Sequence, residues 1–180
     1  MSLSASNYTK LKTNLKLASD RLEVFEKEKI DSGLKFRKES ADSLAASKIA
    51  HAKTCVEHVV SEENLVEASQ IVKSYCDVLL DQFSSVQQLK ALNGDLAEPI
   101  TSLIWVAPKL QLDVKELKIV ADLLAQKFGK QSAQARENTL NLVSEKLVDK
   151  WSYKPLPKII VDEYLVGEFT LEEERYLTNY

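Results

Sequence analysis

The sequence predicts an all-α protein, a long antiparallel helical hairpin with shorter helices packed along it. Composition is the first ground: 4 Gly and 4 Pro in 180 residues fall well below average usage of about 7% and 5%. Turn-rich all-β sandwiches and barrels draw on these residues and are excluded. The second ground is periodicity. Apolar residues recur in alternating steps of three and four, the seam of packed helices, and helix periodicity explains every strand-like alternation better. With 44% hydrophobic and 28% charged residues, the chain can bury a core and is not disordered. Its length allows one domain.

Leu11, Leu15, Ala18, Leu22 and Phe25 open the first helix. The phase then slips to Ile30, Leu34, Ala41, Leu44 and Ala45. Gly33 lies near the slip and costs about 1 kcal/mol relative to Ala in a helix interior. A kink or loosened turn is predicted there, within one helix of about 35 residues. The second helix is carried by Leu65, Ala68, Val72, Tyr75, Leu79, Gln82, Val86 and Leu89, begins as early as Ile49, and stops at Asn93-Gly94.

Shorter helices follow. Asp95-x-x-Glu98 and Asp113-x-x-Glu116 resemble capping boxes. The first opens a helix from Leu96 to Ala107, with Pro99 tolerated in its first turn and Pro108 ending it. The second opens Val114 to Phe128, with Gly129 as the stop and a polar loop to Arg136. Leu140, Val143, Leu147 and Trp151 suggest a fifth helix, and Lys154-Pro155-Leu156-Pro157 leads into a sixth, Lys158 to Val166. The predicted domain is residues 1–166, with 167–180 a short tail.

The net charge of −3 hides a split: residues 1–60 hold 11 basic against 8 acidic side chains, and the remainder 13 against 19. This balance does not suggest a nucleic-acid binder. No run reaches the roughly 18 to 20 apolar residues that span a bilayer, and Met1-Ser2-Leu3-Ser4 lacks the pattern of a signal peptide. Cys55 and Cys76 read as reduced, buried cytosolic thiols.

His51, Cys55 and His58 fall at i, i+4 and i+7, so one helix face could present all three. A fourth zinc ligand is missing apart from Cys76, and a polar helix start flanking a buried Cys explains the spacing as well. No Gly-rich elbow, oxyanion loop or phosphate loop accompanies them. Catalytic residues: none; metal and cofactor: none. The first helix carries nine cations against five acids between Lys10 and Lys38. Each cation near an anionic leaflet contributes about 1 kcal/mol; the alternative is an exposed, salt-bridged face. Tyr153, Pro155, Pro157 and Tyr164 make a last cluster, either a core-docking terminal helix or the edge of a groove for a partner helix.

Val56-Glu57-His58-Val59-Val60, Leu65-Val66-Glu67-Ala68 and Tyr75-Cys76-Asp77-Val78-Leu79-Leu80 resemble the second helix of the increased-sodium-tolerance (IST) family, relatives of the ESCRT-III membrane-remodelling subunits. Ser102-Leu103-Ile104-Trp105-Val106-Ala107-Pro108, Glu116-Leu117-Lys118-Ile119-Val120-Ala121 and Pro157-Lys158-Ile159-Ile160-Val161-Asp162-Glu163-Tyr164-Leu165 continue in order, so the likeness covers roughly residues 8 to 165. It implies an ESCRT-III-like fold and a non-enzymatic regulator of ESCRT-III assembly in endosomal multivesicular-body sorting. The implied partners are an ESCRT-III subunit of the charged-multivesicular-body-protein type, the AAA ATPase of vacuolar sorting and an anionic membrane surface. The implied location is cytoplasmic, peripheral to endosomal membranes. The implied sites are a basic membrane face at Lys10, Lys12, Lys16 and Arg21, and a partner groove at Ile160, Tyr164 and Leu165. Residues 167–180 depart from the family pattern. Glu172 to Leu177 lacks the leucine spacing of the helix that binds the ATPase's MIT domain in longer members, so high-affinity ATPase recruitment is not carried onto it. The competing reading is a cytosolic helical-bundle adaptor with no membrane role. Salt-sensitive binding to anionic liposomes separates the two.

Overall fold

A computed structural model describes residues 3–134 and 143–151; the predicted sixth helix lies outside them. The described residues form α1 (Ala5–Ala45), α2 (Ile49–Asp81), α3 (Phe83–Gln88), a 3-10 turn (Gly94–Leu96), α4 (Ala97–Leu110), α5 (Glu116–Gln134) and α6 (Glu145–Trp151). No strand occurs among them. They pack as two compact units. Among the described residues, the first holds 3–26, 67–134 and 143–151, and the second Lys27–Val66.

In the first unit the core is large and apolar. Leu11, Leu15, Ala18 and Leu22 of α1 are fully buried, with Val72, Cys76 and Leu79 of α2, Ile100, Leu103 and Val106 of α4, and Leu117 and Leu124 of α5. Full burial of a Leu or Val side chain contributes about 1.5–3 kcal/mol, which outweighs the propensity lapses described below. Polar links fix the register of α1 on α2: Ser19 Oγ donates to Asp77 Oδ1 at 2.6 Å and Gln70 Nε2 to Glu26 Oε1 at 2.6 Å. Buried Lys127 of α5 donates to Tyr8 Oη at 2.8 Å and to the Gln87 carbonyl at 3.0 Å, tying α5 to α1 and α3.

The second unit packs differently. The three/four alternation of α1 continues through Lys29, Gly33, Phe36, Ser40 and Ser43, all buried or half-buried, while Ile30 and Leu34 are 44% and 58% exposed. The apolar pattern shifts there, but the packed face does not. A Cβ on Gly33 would meet Glu62 Cβ at an ordinary contact distance of 3.8 Å, and α1 passes the glycine without a break. The expected loosened turn is absent because helical hydrogen bonding tolerates one glycine at a cost of about 1 kcal/mol.

Residues 46–48 join α1 to α2 as a Schellman turn. Lys48 N–H donates to Ser43 O at 2.8 Å and Ser47 N–H to Leu44 O at 2.9 Å, with Ser47 at φ 58°.

Four further boundaries correct the sequence reading. The second helix breaks at Gln82 (φ −102°, ψ 29°), and α3 ends at Gln88 rather than at Asn93-Gly94. This break leaves Gln82 exposed and buries Phe83, whose ring meets Tyr8 edge-on at 6.4 Å. Helix α4 runs two residues past Pro108, because Ala107 and Leu110 are buried and hold the last turn closed. Helix α5 continues through Gly129 to Gln134, where a loop was expected. The first acidic box does not cap its helix: α4 has no side-chain cap, and Glu98 binds Tyr75, while Glu116 pairs with Arg21. Val143 and Ser144 precede α6, and Ser144 N–H donates to buried Ser102 Oγ at 3.1 Å.

Candidate functional site

A groove of about 830 Å³ opens in the first unit between α2, α4 and the entry to α6. Residues three and four apart share a helix face, so Glu67, Ile71, Ser74 and Tyr75 line one wall; Glu98 of α4 and Val143 to Lys146 line the other. Tyr75 Oη donates to Glu98 Oε1 at 2.5 Å, bridging the walls. Burial, reinforced by that carboxylate, pushes the Tyr75 phenol above its ordinary value. Glu67 pairs with Lys150 of α6, and Ser102 holds the Ser144 amide. The floor is therefore Ile71, Tyr75 and Val143; on the rim Glu67 is balanced by Lys150, which leaves Glu98 and Glu145 against Lys146. This chemistry suits an amphipathic helix with an apolar stripe and basic flanks.

The predicted basic face divides into two. Lys12 and Lys16, one turn apart, line a second groove of about 810 Å³ between α1 and α3, and Lys12 Nζ stands 5.5 Å over the Phe83 ring. Lys10 and Arg21, three turns apart, lie on another side of α1. Arg21 Nε donates to Glu116 Oε1 at 2.7 Å, with Glu116 almost fully buried and the Arg21 side chain 50% exposed. Ile160, Tyr164 and Leu165 lie outside the described residues.

The His51, Cys55 and His58 series is also divided. His58 stacks on Phe36 at 4.7 Å. His51 Nε2 instead lies 2.8 Å from Glu39 Oε1 and 3.8 Å from Cys55 Sγ. The ligand atoms of Glu39, His51 and Cys55 all fall within 4.8 Å of one another. Spacing along one helix could not find Glu39, because α1 supplies it. Cys76 is buried in the first unit. Both thiols are unpaired with one another and buried, as expected. Among the described residues no helix is long and apolar enough to cross a membrane.

Residues 12–167 match the family model Ist1, described as regulator of Vps4 activity in the MVB pathway. The IST1-like protein of Dictyostelium discoideum is 28% identical over 157 residues, 84% of this chain and 41% of its own length. The vacuolar protein sorting-associated protein IST1 of Saccharomyces cerevisiae is 28% identical over 164 residues, 87% of this chain and 55% of its own length. The chain thus spans about half the length of these relatives. Among solved structures, the S. cerevisiae Ist1 N-terminal domain in complex with the Did2 MIM motif superposes with a TM-score of 0.82 at 25% identity, covering 92% of each chain.

Proposed function

The chain belongs to the Ist1 family, regulators of Vps4 activity in the MVB pathway, and from that premise we propose that it is a non-enzymatic regulator of ESCRT-III assembly and disassembly. It takes the MIM helix of an ESCRT-III subunit into the groove of α2, α4 and α6 and thereby modulates the AAA ATPase. The observation that carries this reading is the likeness, over 92% of the chain, to an Ist1 domain bound to a Did2 MIM motif. The apolar floor at Ile71 and Tyr75 and the acidic rim supply complementary chemistry for such a helix. The partner-binding role expected of Ile160, Tyr164 and Leu165 is part of the same proposal.

The second part of the proposal is peripheral contact with endosomal membranes through Lys10, Lys12, Lys16 and Arg21. The three lysines carry most of it, since Glu116 already neutralises Arg21.

The test is calorimetric titration of the chain with a Did2-type MIM peptide, for wild type and Ile71→Asp. Burial of an Ile contributes about 1.5–3 kcal/mol, so the variant loses about 10–100-fold in affinity. Absence of wild-type binding would overturn the proposal. Equal binding by Ile71→Asp would displace the groove assignment.

A further inference from the structure

We propose that Glu39, His51 and Cys55 form a binding site for a divalent metal ion of the zinc class, with three protein ligands and a fourth position open to water. The site lies within the second unit, beside the turn at 46–48. His51 and Cys55 stand at i and i+4 on the first turns of α2, and Glu39 reaches across from α1.

The geometry carries the inference. Nitrogen, sulfur and oxygen donors converge, the ligand types that zinc accepts at bond lengths of about 2.0–2.3 Å. At such bond lengths, tetrahedral ligands stand roughly 3.3–3.9 Å from one another. The His51 Nε2 to Cys55 Sγ separation is 3.8 Å and the His51 Nε2 to Glu39 Oε1 separation 2.8 Å, so small side-chain rotations admit an ion. Glu39 Oε1 and Cys55 Sγ both approach His51 Nε2, and a single Nε2 proton serves only one acceptor. A cation serves all three.

Burial fits as well. Cys55 is 2% exposed, forming the inner side of the site, while the Glu39 and His51 side chains are 51% and 52% exposed and leave an entry path. Burial and the neighbouring Glu39 carboxylate push the Cys55 thiol up from its ordinary value. A divalent ion would reverse that local field and favour the thiolate it binds.

The inference is independent of the partner groove, since no residue is shared. Bound metal would tie α1 to α2 beside their connecting turn. Its test is titration of the full chain with Co²⁺ as spectroscopic probe, then with Zn²⁺ in competition. One equivalent of Co²⁺ should raise a thiolate-to-cobalt charge-transfer absorption, and Zn²⁺ should displace it. Cys55→Ser should abolish the band. Glu39→Gln and His51→Gln, both at exposed positions, should weaken affinity by more than the roughly 10–100-fold that loss of an outer-shell partner causes. His58→Gln should bind as wild type. No band in the wild type, a band that survives Cys55→Ser, or undiminished affinity in Glu39→Gln would each overturn the site.

Discussion

Arg21→Gln should destabilise the first unit although its side chain is half in water. The guanidinium Nε lies 2.7 Å from Glu116 Oε1, and the partner carboxylate is only 6% exposed, with Oε2 lacking a hydrogen-bond partner among the described residues. Two bounds frame the magnitude. A fully exposed pair contributes about 0.2–1 kcal/mol, and stranding one charge of a buried pair costs about 3–5 kcal/mol. With one buried partner and one half-exposed partner, the loss should be about 2 kcal/mol. A chain of this size then melts about 4–8 °C lower. Glu116→Gln removes the stranded charge and should cost less, about 1 kcal/mol or under. It also releases the guanidinium, so binding to anionic liposomes should rise rather than fall. Urea unfolding of both single variants and the double variant measures the coupling by a thermodynamic cycle. A coupling below about 0.5 kcal/mol, with Arg21→Gln as stable as wild type, would refute the reasoning. It would also return Arg21 to the pool of free surface cations.

Ser47→Gly should raise stability by about 1 kcal/mol, because Ser47 holds φ 58° in a turn that glycine adopts without steric cost; the urea midpoint reads it, and an unchanged midpoint speaks against strain there. Gly33→Ala should stabilise α1 by about 0.5–1 kcal/mol, since the added methyl meets Glu62 at an ordinary 3.8 Å; a lower midpoint would show that the helices cannot give. Burial pushes the Cys76 thiol from 9.0 to about 12. A raised acid contributes stability fully below the unfolded value and loses it as pH rises through the folded one. Stability should therefore decline between about pH 9 and 12, and less steeply in Cys76→Ala. Replacing Lys10, Lys12 and Lys16 with Gln should weaken binding to anionic vesicles by about 1 kcal/mol per residue at low salt and leave neutral vesicles unaffected. Equal loss on both vesicle types would argue against an electrostatic contact.

The helices themselves were legible because a seam of Leu11, Leu15, Ala18 and Leu22 has one physical explanation. The ends were not, because tertiary burial overrode local signals. Leu110 draws α4 past a proline, and Phe83 breaks α2 at Gln82, about three turns before the expected stop, to reach Tyr8. The Asp95-x-x-Glu98 box misled for the same reason: Glu98 finds its partner in Tyr75 and α4 has no side-chain cap. The groove needs α2, α4 and α6 at once, so no linear spacing announces it. Glu39 was within reach of sequence reasoning. Once a turn is placed at 46–48, residues equidistant from 47 fall on facing stretches of α1 and α2, which sets Glu39 opposite Cys55 and one turn from His51.

The two units also differ in the kind of force that holds α1 to α2. Among the described residues, Lys27–Val66 bury Ala, Val, Cys, Gly and Ser but no Leu, Ile or Phe. At about 25 cal/mol per Å² of apolar surface, such small side chains provide little adhesion. Lys29 with Glu62 and Arg37 with Glu63 cross the same interface as ion pairs, and Glu39 meets His51 there through a hydrogen bond. That seam behaves as a zipper of charges, loosened by ionic strength, whereas the leucine seam of the first unit is indifferent to salt. Separating the helices along this seam exchanges ion pairs for water and counterions, so raised ionic strength should weaken it more than the leucine seam.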